Sequence, residues 1–416
     1  MGTFEELKEE DLPNFRFPIE DKSKKIIKVI GVGGGGGNAV QHMMEEGIKN
    51  VTLVVVNTDS QALKANAVPN KIQLGDGLGT GGDPVLGCEI AEKNIDNIRS
   101  IFDDDTKMVF IVAGMGGGTG TGVAPVIARV AKEMGILTVG VVTLPFKMEL
   151  KKRIDKALKG MNELKKCVDS LIVINNQKLL ENEQYCDLPA EDGLKKADEV
   201  LTVATRTIAD IITYRGVINR DYNDVRTVMK DGGAALVSVA KASGEKRVLK
   251  AMSEAISLPL IANVDIQQTQ RMLYIVYSSK DKPAKIRELS EIAEFMGSFD
   301  ENIEVLWGHY RDDSLGDEVK VSIIVTGFDK EATGGVDEQK DSEEKSQADW
   351  LRDKYYGSMT INSKPVNVTN EADTAQVDDE IVTNEEASDD INTEEEPEKH
   401  PVLKRLLDKL GSLMEE

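Results

Sequence analysis

Two glycine-rich runs and one pair of carboxylates stand out as residues whose types and spacing could do chemistry. Phe110 to Ala113 reads as a short buried strand, Gly116 to Gly122 contains only Gly and Thr, and the VAPVIARVAKEMG that follows has Val123, Val126, Ile127, Val130, Ala131 and Met134 at helical spacing. The run therefore sits between a strand end and a helix start, where unpaired N–H groups and the positive end of the helix dipole favour anions. Gly116, Gly117, Gly118, Gly120 and Gly122 let the backbone approach a phosphate, and Thr119 and Thr121 add hydroxyl donors. No Gly-Lys-Ser/Thr follows, so this is not a Walker A loop. A second run, Gly33, Gly34, Gly35, Gly36 and Gly37, follows the strand-like Ile26–Val32 and precedes a helical NAVQHMMEEG. It includes G-x-G-x-x-G at Gly31, Gly33 and Gly36, a dinucleotide-binding pattern that is weak evidence alone.

The carboxylates are Asp221 and Asp224 in Asn219-Arg220-Asp221-Tyr222-Asn223-Asp224. Such groups accept hydrogen bonds from water and bind Mg²⁺ as hard oxygen ligands, but acids are equally common where a capped turn opens a helix. They follow a long helical pattern from Leu194 to about Tyr214, whose buried side carries Ala197, Val200, Leu201, Ala204, Ile208, Ile211 and Ile212. At about 1.5 Å per residue, that helix should put them about 30 Å from the glycine loops. Other polar candidates each have a plain structural reading. Asn57 and Asp59 lie at the rim where a parallel strand ends, or form an Asx turn. Glu149 and Arg153 are spaced for an ordinary helix ion pair. Asn176 and Asp198 read by themselves as a loop amide and an exposed helix acid, and Gly75–Gly87 as either a surface loop or a lid.

The elements that must position these groups alternate strand with helix, and the strands are near-continuous apolar runs, Val51–Val56, Met108–Ala113, Leu137–Thr143 and Ser170–Ile174. The expected fold class is α/β, a parallel-sheet nucleotide-binding domain over 25–193 behind a flexible arm at 1–24. The long helix, 194–216, bridges to a smaller α+β domain over 217–328 with the Asp-bearing loop at its start. Residues 329–400 are acidic and poor in apolar residues, as in a disordered linker. Within them Asp349–Met359 is an aromatic island, either a docking motif or nothing. Residues 401–416 carry Leu403, Leu406, Leu407, Leu410, Leu413 and Met414 on one stripe, which suits a partner's groove. The net charge of −22 argues against nucleic acid and against direct binding to an anionic membrane. No apolar run reaches the length of a membrane span, the first residues lack a signal peptide's apolar segment, and Cys88, Cys167 and Cys186 have no paired spacing; a cytoplasmic, reduced environment is expected.

Gly116–Gly122 reads GGGTGTG, and from about Lys25 to Gly327 the chain resembles the tubulin-like GTPases, most closely the FtsZ family of bacterial cell-division proteins. The resemblance implies GTP and GDP as ligands, with Mg²⁺, and phosphates cradled by Gly33–Gly37 and Gly116–Gly122. It assigns guanine recognition to Asn38, Asn176 and Asp198, a nucleotide contact to Asn57 in VNTD, and the ribose and γ-phosphate side to Glu149 and Arg153 in PFKMELKKR. Asn219, Asp221 and Asp224 match NxDxxD, whose loop in the family enters the next subunit's site, orients water and helps hold the cation. A head-to-tail homopolymer forming a division ring at mid-cell is implied, with membrane-tethering and regulatory partners on 401–416. The chain departs from the pattern at Leu194, where the family stacks a Phe on the base, and at Leu150, where it has Gly. Two other readings compete. A nicotinamide-dinucleotide enzyme would need GVGGGG but not GGGTGTG, and a nucleotide-binding scaffold without turnover would not need Asp221 and Asp224.

Overall fold

The computed structural model describes residues 25–180, 190–213, 218, 221–257, 269–296 and 303–327, together with 351, 352, 355 and 356. The expected arm 1–24, nearly all of 329–400, the tail 401–416 and Asn219 lie outside the described residues.

Six parallel strands form the first half of the sheet: β1 (Ile27–Val32), β2 (Val51–Asn57), β3 (Asn70–Gln73), β4 (Met108–Gly114), β5 (Leu137–Leu144) and β6 (Ser170–Asn175). β1, β4 and β6 are apolar along almost their whole length because helices cover both faces. On one face, α1 (Gly33–Glu45) and the 24-residue α8 (Ala190–Thr213) meet Val29, Phe110 and Val112 through Val40, Met43, Leu201, Ala204 and Ile208. On the other, α3 (Pro84–Lys93), α4 (Ile95–Ser100), α5 (Thr119–Glu133) and α6 (Lys151–Cys167) cover Ile30, Val109 and Ile111. The short helices α2 (Ser60–Ala65) and α7 (Asn176–Leu180) follow β2 and β6. α8 starts four residues ahead of the expected helix, so the boundary drawn before Leu194 falls inside it.

The second half contains β7 (Gly233–Ala242), β8 (Arg271–Ser278), β9 (Glu304–Arg311) and β10 (Val319–Thr326). β10 runs antiparallel to β7 and β8, while β8 and β9 are parallel. α10 (Arg247–Ser257) and α11 (Ile286–Met296) close one face over Leu236, Val276 and Val321; α8 and α9 (Tyr222–Met229) close the other. The two halves are not separate sheets. Ser170–Ile172 of β6 pairs parallel with Gly233–Ala235 of β7, giving one sheet in the order β3-β2-β1-β4-β5-β6-β7-β10-β8-β9. α8 therefore packs along a continuous surface and fixes how far its two ends stand apart, about 36 Å at 1.5 Å per residue.

Candidate active site

The carboxyl ends of β1, β4 and β5 open into a cavity of about 360 Å³. This is the edge where parallel α/β sheets take ligands. Both glycine runs meet there. Gly34, Gly35 and Asn38 at the start of α1, and Gly117, Gly118, Thr119 and Gly120 at the start of α5, form the wall expected to face phosphates. Neither helix has a side-chain cap or an acid in its first turn, so the N–H groups and the dipole end remain available to an anion. Gly116 has φ +102°, and its amide donates to Thr121 Oγ1 at 2.9 Å, which closes the loop on itself.

The rest of the wall is largely polar. Asn176, Asp198, Glu149 and Arg153 all line the cavity. Glu149 and Arg153 are ion-paired at 2.9 Å, and Glu149 Oε1 also accepts from the Phe146 amide at 2.9 Å. Asn176 is buried, yet its Oδ1 has no hydrogen-bond partner. Burial pushes the Asp198 carboxyl up to about 6, opposed only by the charge of His42. An orphaned amide oxygen and a carboxylate short of solvent are what a ligand with clustered N–H donors would satisfy, and guanine offers N1–H beside N2–H₂. The residues present therefore fit a guanine nucleotide.

Seven expected nucleotide residues do not line the cavity. Gly33 faces the Gly120 backbone, and Gly36 lies so close to β4 that an added methyl would overlap the Val112 carbonyl. Gly37 packs on Val55, and Gly122 meets the Pro84 carbonyl at the start of α3. Thr121 is buried and serves as the acceptor for Gly116, as described, rather than facing the cavity. Gly116 stands behind the wall against Arg153. Asn57 is buried and forms an Asx turn, its Oδ1 accepting from the amides of Thr58 at 2.8 Å and Asp59 at 3.2 Å. Sequence reasoning missed Thr80, Met115, Thr143 and Pro145, which all line the cavity. Of these, Thr143 and Pro145 were signalled by their place at a parallel strand's carboxyl end. Thr80 was not, because its loop of glycines carries no periodicity; it sits against Gly118, where a methyl would overlap its Oγ1.

Leu150, which stands where the family pattern has Gly, adopts a backbone conformation that suits glycine. Its φ of 69° and ψ of 159° lie in a region that is essentially glycine-only. The strain is held by the hydrogen bonds on either side, Leu150 N–H to Lys147 at 3.2 Å and Arg153 N–H to Leu150 at 3.1 Å. Leu194 lies in α8, but its side chain is outside the described residues.

Asp221 and Asp224 are elsewhere. They open α9, whose Tyr222 hydroxyl donates to the Lys107 carbonyl at 2.9 Å. Lys107 precedes the amino end of β4, whereas the cavity lies beyond its carboxyl end, seven residues or about 23 Å away. Among the described residues, no group of three or more His, Cys, Asp or Glu could hold a metal. No described helix is long and apolar enough to cross a membrane.

A glycine cradle at the carboxyl edge of parallel strands, a long bridging helix and a mixed second half of the same sheet define a tubulin-like nucleotide-binding protein. Residues 26–184 match the Tubulin/FtsZ family GTPase domain, and 233–329 the FtsZ family C-terminal domain. The cell division protein FtsZ of Porphyromonas gingivalis is 44% identical over 330 residues, covering 78% of this chain and 72% of that one. That of Coxiella burnetii is 46% identical over 314 residues, covering 74% and 80%. A solved structure, the empty FtsZ dimer of M. jannaschii, superposes with a TM-score of 0.67 at 39% identity, over 74% of this chain and 90% of that one. The chain belongs to the FtsZ family of cell-division GTPases.

Proposed function

We propose that this GTPase polymerises head to tail and that each active site is completed by the next subunit. The observation that carries the reading is the separation described above: the cavity suits a guanine nucleotide at one end of the sheet, and Asp221 and Asp224 stand at the other. No side chain bridges about 23 Å, so a second molecule must bring its loop to the first one's phosphates. A contact between two different surfaces that does not close on itself builds a filament. The loops that line the cavity expose Leu78, Met148 and Leu150, apolar groups that a second copy would cover.

In this reading the chain's own residues do the following. Asp198 and Asn176 read the base, with Asn38 beside them. The α1 and α5 amino ends hold the phosphates, and Glu149 and Arg153 meet the ribose and the terminal phosphate. Phosphoryl transfer needs positioning and charge stabilisation more than covalent chemistry. Asp221 and Asp224, with Asn219, orient the attacking water and accept from it. The capping contacts of α9 use Oδ1 of Asp221 and Oδ2 of Asp224, and two carboxylates suit a Mg²⁺ ion that keeps phosphate and water oxygens as its other ligands. Such an ion would neutralise charge on the phosphates. The filament is the division ring at mid-cell, and the apolar stripe of 401–416 supports docking to a membrane-tethering or regulatory partner.

The test is GTP hydrolysis per molecule against protein concentration. It should rise steeply and vanish at high dilution. A turnover number constant into the monomeric range sinks the shared site.

A further inference from the structure

The aromatic island of the acidic segment meets the nucleotide domain. Leu351 and Tyr356 are buried in the same core layer as Leu144, Ile154, Leu158 and Val173. The Tyr356 hydroxyl donates to the Pro145 carbonyl at 2.7 Å. Asn175 Nδ2 donates to the Tyr355 carbonyl. Arg352 pairs with Asp155 of α6 at 2.8 Å, the two side chains only 14% and 33% exposed, so solvent screens this pair little. Burial, with the Glu149 charge second, pushes the Tyr356 hydroxyl up, which keeps it a donor.

Each of these partners is one short step from the cavity. Pro145 lines it and begins the turn that presents Glu149. Asn175 precedes Asn176, and Asp155 lies two residues beyond Arg153 on α6. That turn also contains the strained Leu150. A strained backbone persists only where surrounding contacts over-determine it. Tyr356 holds the residue five places before Leu150 and Arg352 the residue five places after it, both from outside the domain's own sequence.

We propose that residues 351–356 are a positioning clasp for the nucleotide site: Tyr356 and Arg352 grip the Pro145 turn and α6 and thereby set Glu149 and Arg153 for the nucleotide. The inference rests on the guanine-nucleotide reading of the cavity. It makes the clasp part of the catalytic domain, although some two hundred residues separate it from the turn. By linkage, bound nucleotide tightens the clasp by the same factor that the clasp tightens nucleotide.

The experiment uses the full chain and a fluorescent GDP analogue. Tyr356→Phe, which keeps the ring and loses one hydrogen bond, should weaken binding about threefold. Tyr356→Ala with Arg352→Gln should weaken it about tenfold or more, seen as a raised KM for GTP more than a lowered kcat. Arg352→Asp should weaken binding, and adding Asp155→Arg should restore it. Hydrogen exchange at 351–356 should slow when GDP is added. If the wild-type chain fails to bind GDP, the reading of the cavity falls and the clasp with it. If the wild type binds and the folded double variant binds equally tightly, with exchange at 351–356 indifferent to GDP, the clasp alone is overturned. Should the double variant not fold, Tyr356→Phe and the Arg352/Asp155 exchange, which preserve the packing, decide the same question.

Discussion

Asp221 and Asp224 cap one another. Asp221 Oδ1 accepts from the Asp224 amide at 3.1 Å and from Asn223 at 2.8 Å, and Asp224 Oδ2 accepts from the Asp221 amide at 3.0 Å. This reciprocal box starts α9 and fixes both carboxylates on one rigid turn. The capping role does not exclude the proposed chemical one, and a substitution can separate them. Asn caps a helix as well as Asp does, whereas Ala does not. Asp221→Asn should leave the melting temperature within a degree or two and lower GTP turnover at least tenfold. Asp221→Ala should lower turnover as much and also cost about 1 kcal/mol of stability by urea denaturation. GDP affinity should be unchanged in both. Full turnover in Asp221→Asn would remove its carboxylate from the chemistry.

Asp198 predicts a pH dependence of nucleotide binding. The carboxylate must be ionised to accept two N–H groups, and in the free protein burial has raised it to about 6. Binding of the donors favours the charged form, so it lowers the folded value and releases a proton. Affinity is therefore fully present above about pH 7 and falls as pH drops through 6, by up to about tenfold per unit. Nucleotide phosphates titrate in the same range, so the diagnostic is the difference between wild type and Asp198→Asn. That difference should be large at pH 7.5 and shrink toward pH 5; a constant difference contradicts the assignment.

Leu150 predicts a stabilising substitution. Leu150→Gly relieves a backbone conformation that costs about 1–3 kcal/mol and gives back about 0.4–1 kcal/mol through the freer unfolded chain. The net gain should be about 1 kcal/mol by urea denaturation of the GDP-bound chain. Loss of stability would mean that the exposed leucine is held by contacts worth more than the strain.

Gly118→Ala tests the contact between the two cavity loops. Its methyl would overlap Thr80 Oγ1 and lie 2.8 Å from the Asp83 amide. GDP affinity should fall at least tenfold, and Thr80→Ala, which removes the first overlap, should restore part of it in the double variant. Equal loss in the single and double variants would place the damage elsewhere in the loop.

What was legible in the sequence followed from local rules. Parallel strands buried on both faces write themselves as apolar runs, so β1, β4, β5 and β6 and their order with the helices could be read directly. Glycine runs between strand and helix marked the cavity for the same reason. β3 was missed because its burial is nearly all exposed at a sheet edge, leaving no alternation to see. The joining of the two halves rests on a three-residue pairing of β6 with β7, between segments about sixty residues apart, and no local pattern encodes it. Glycines that pack helices on strands, such as Gly36 and Gly122, look the same in sequence as those that face a ligand. The clasp was hidden for a different reason: the acidic composition around it follows the rules for an unfolded chain, and its partners lie in another domain.

The seat of Tyr356 also decides where mechanical load enters the molecule. A pull on the stripe at 401–416 arrives along the chain at Tyr356 and Arg352, and so at the Pro145 turn and α6, before it can reach β10. Tension is delivered to the half of the protein that holds the nucleotide. If 401–416 docks to a partner as proposed, the clasp is a fuse between that anchor and the second half of the sheet, and it sits beside the nucleotide cavity.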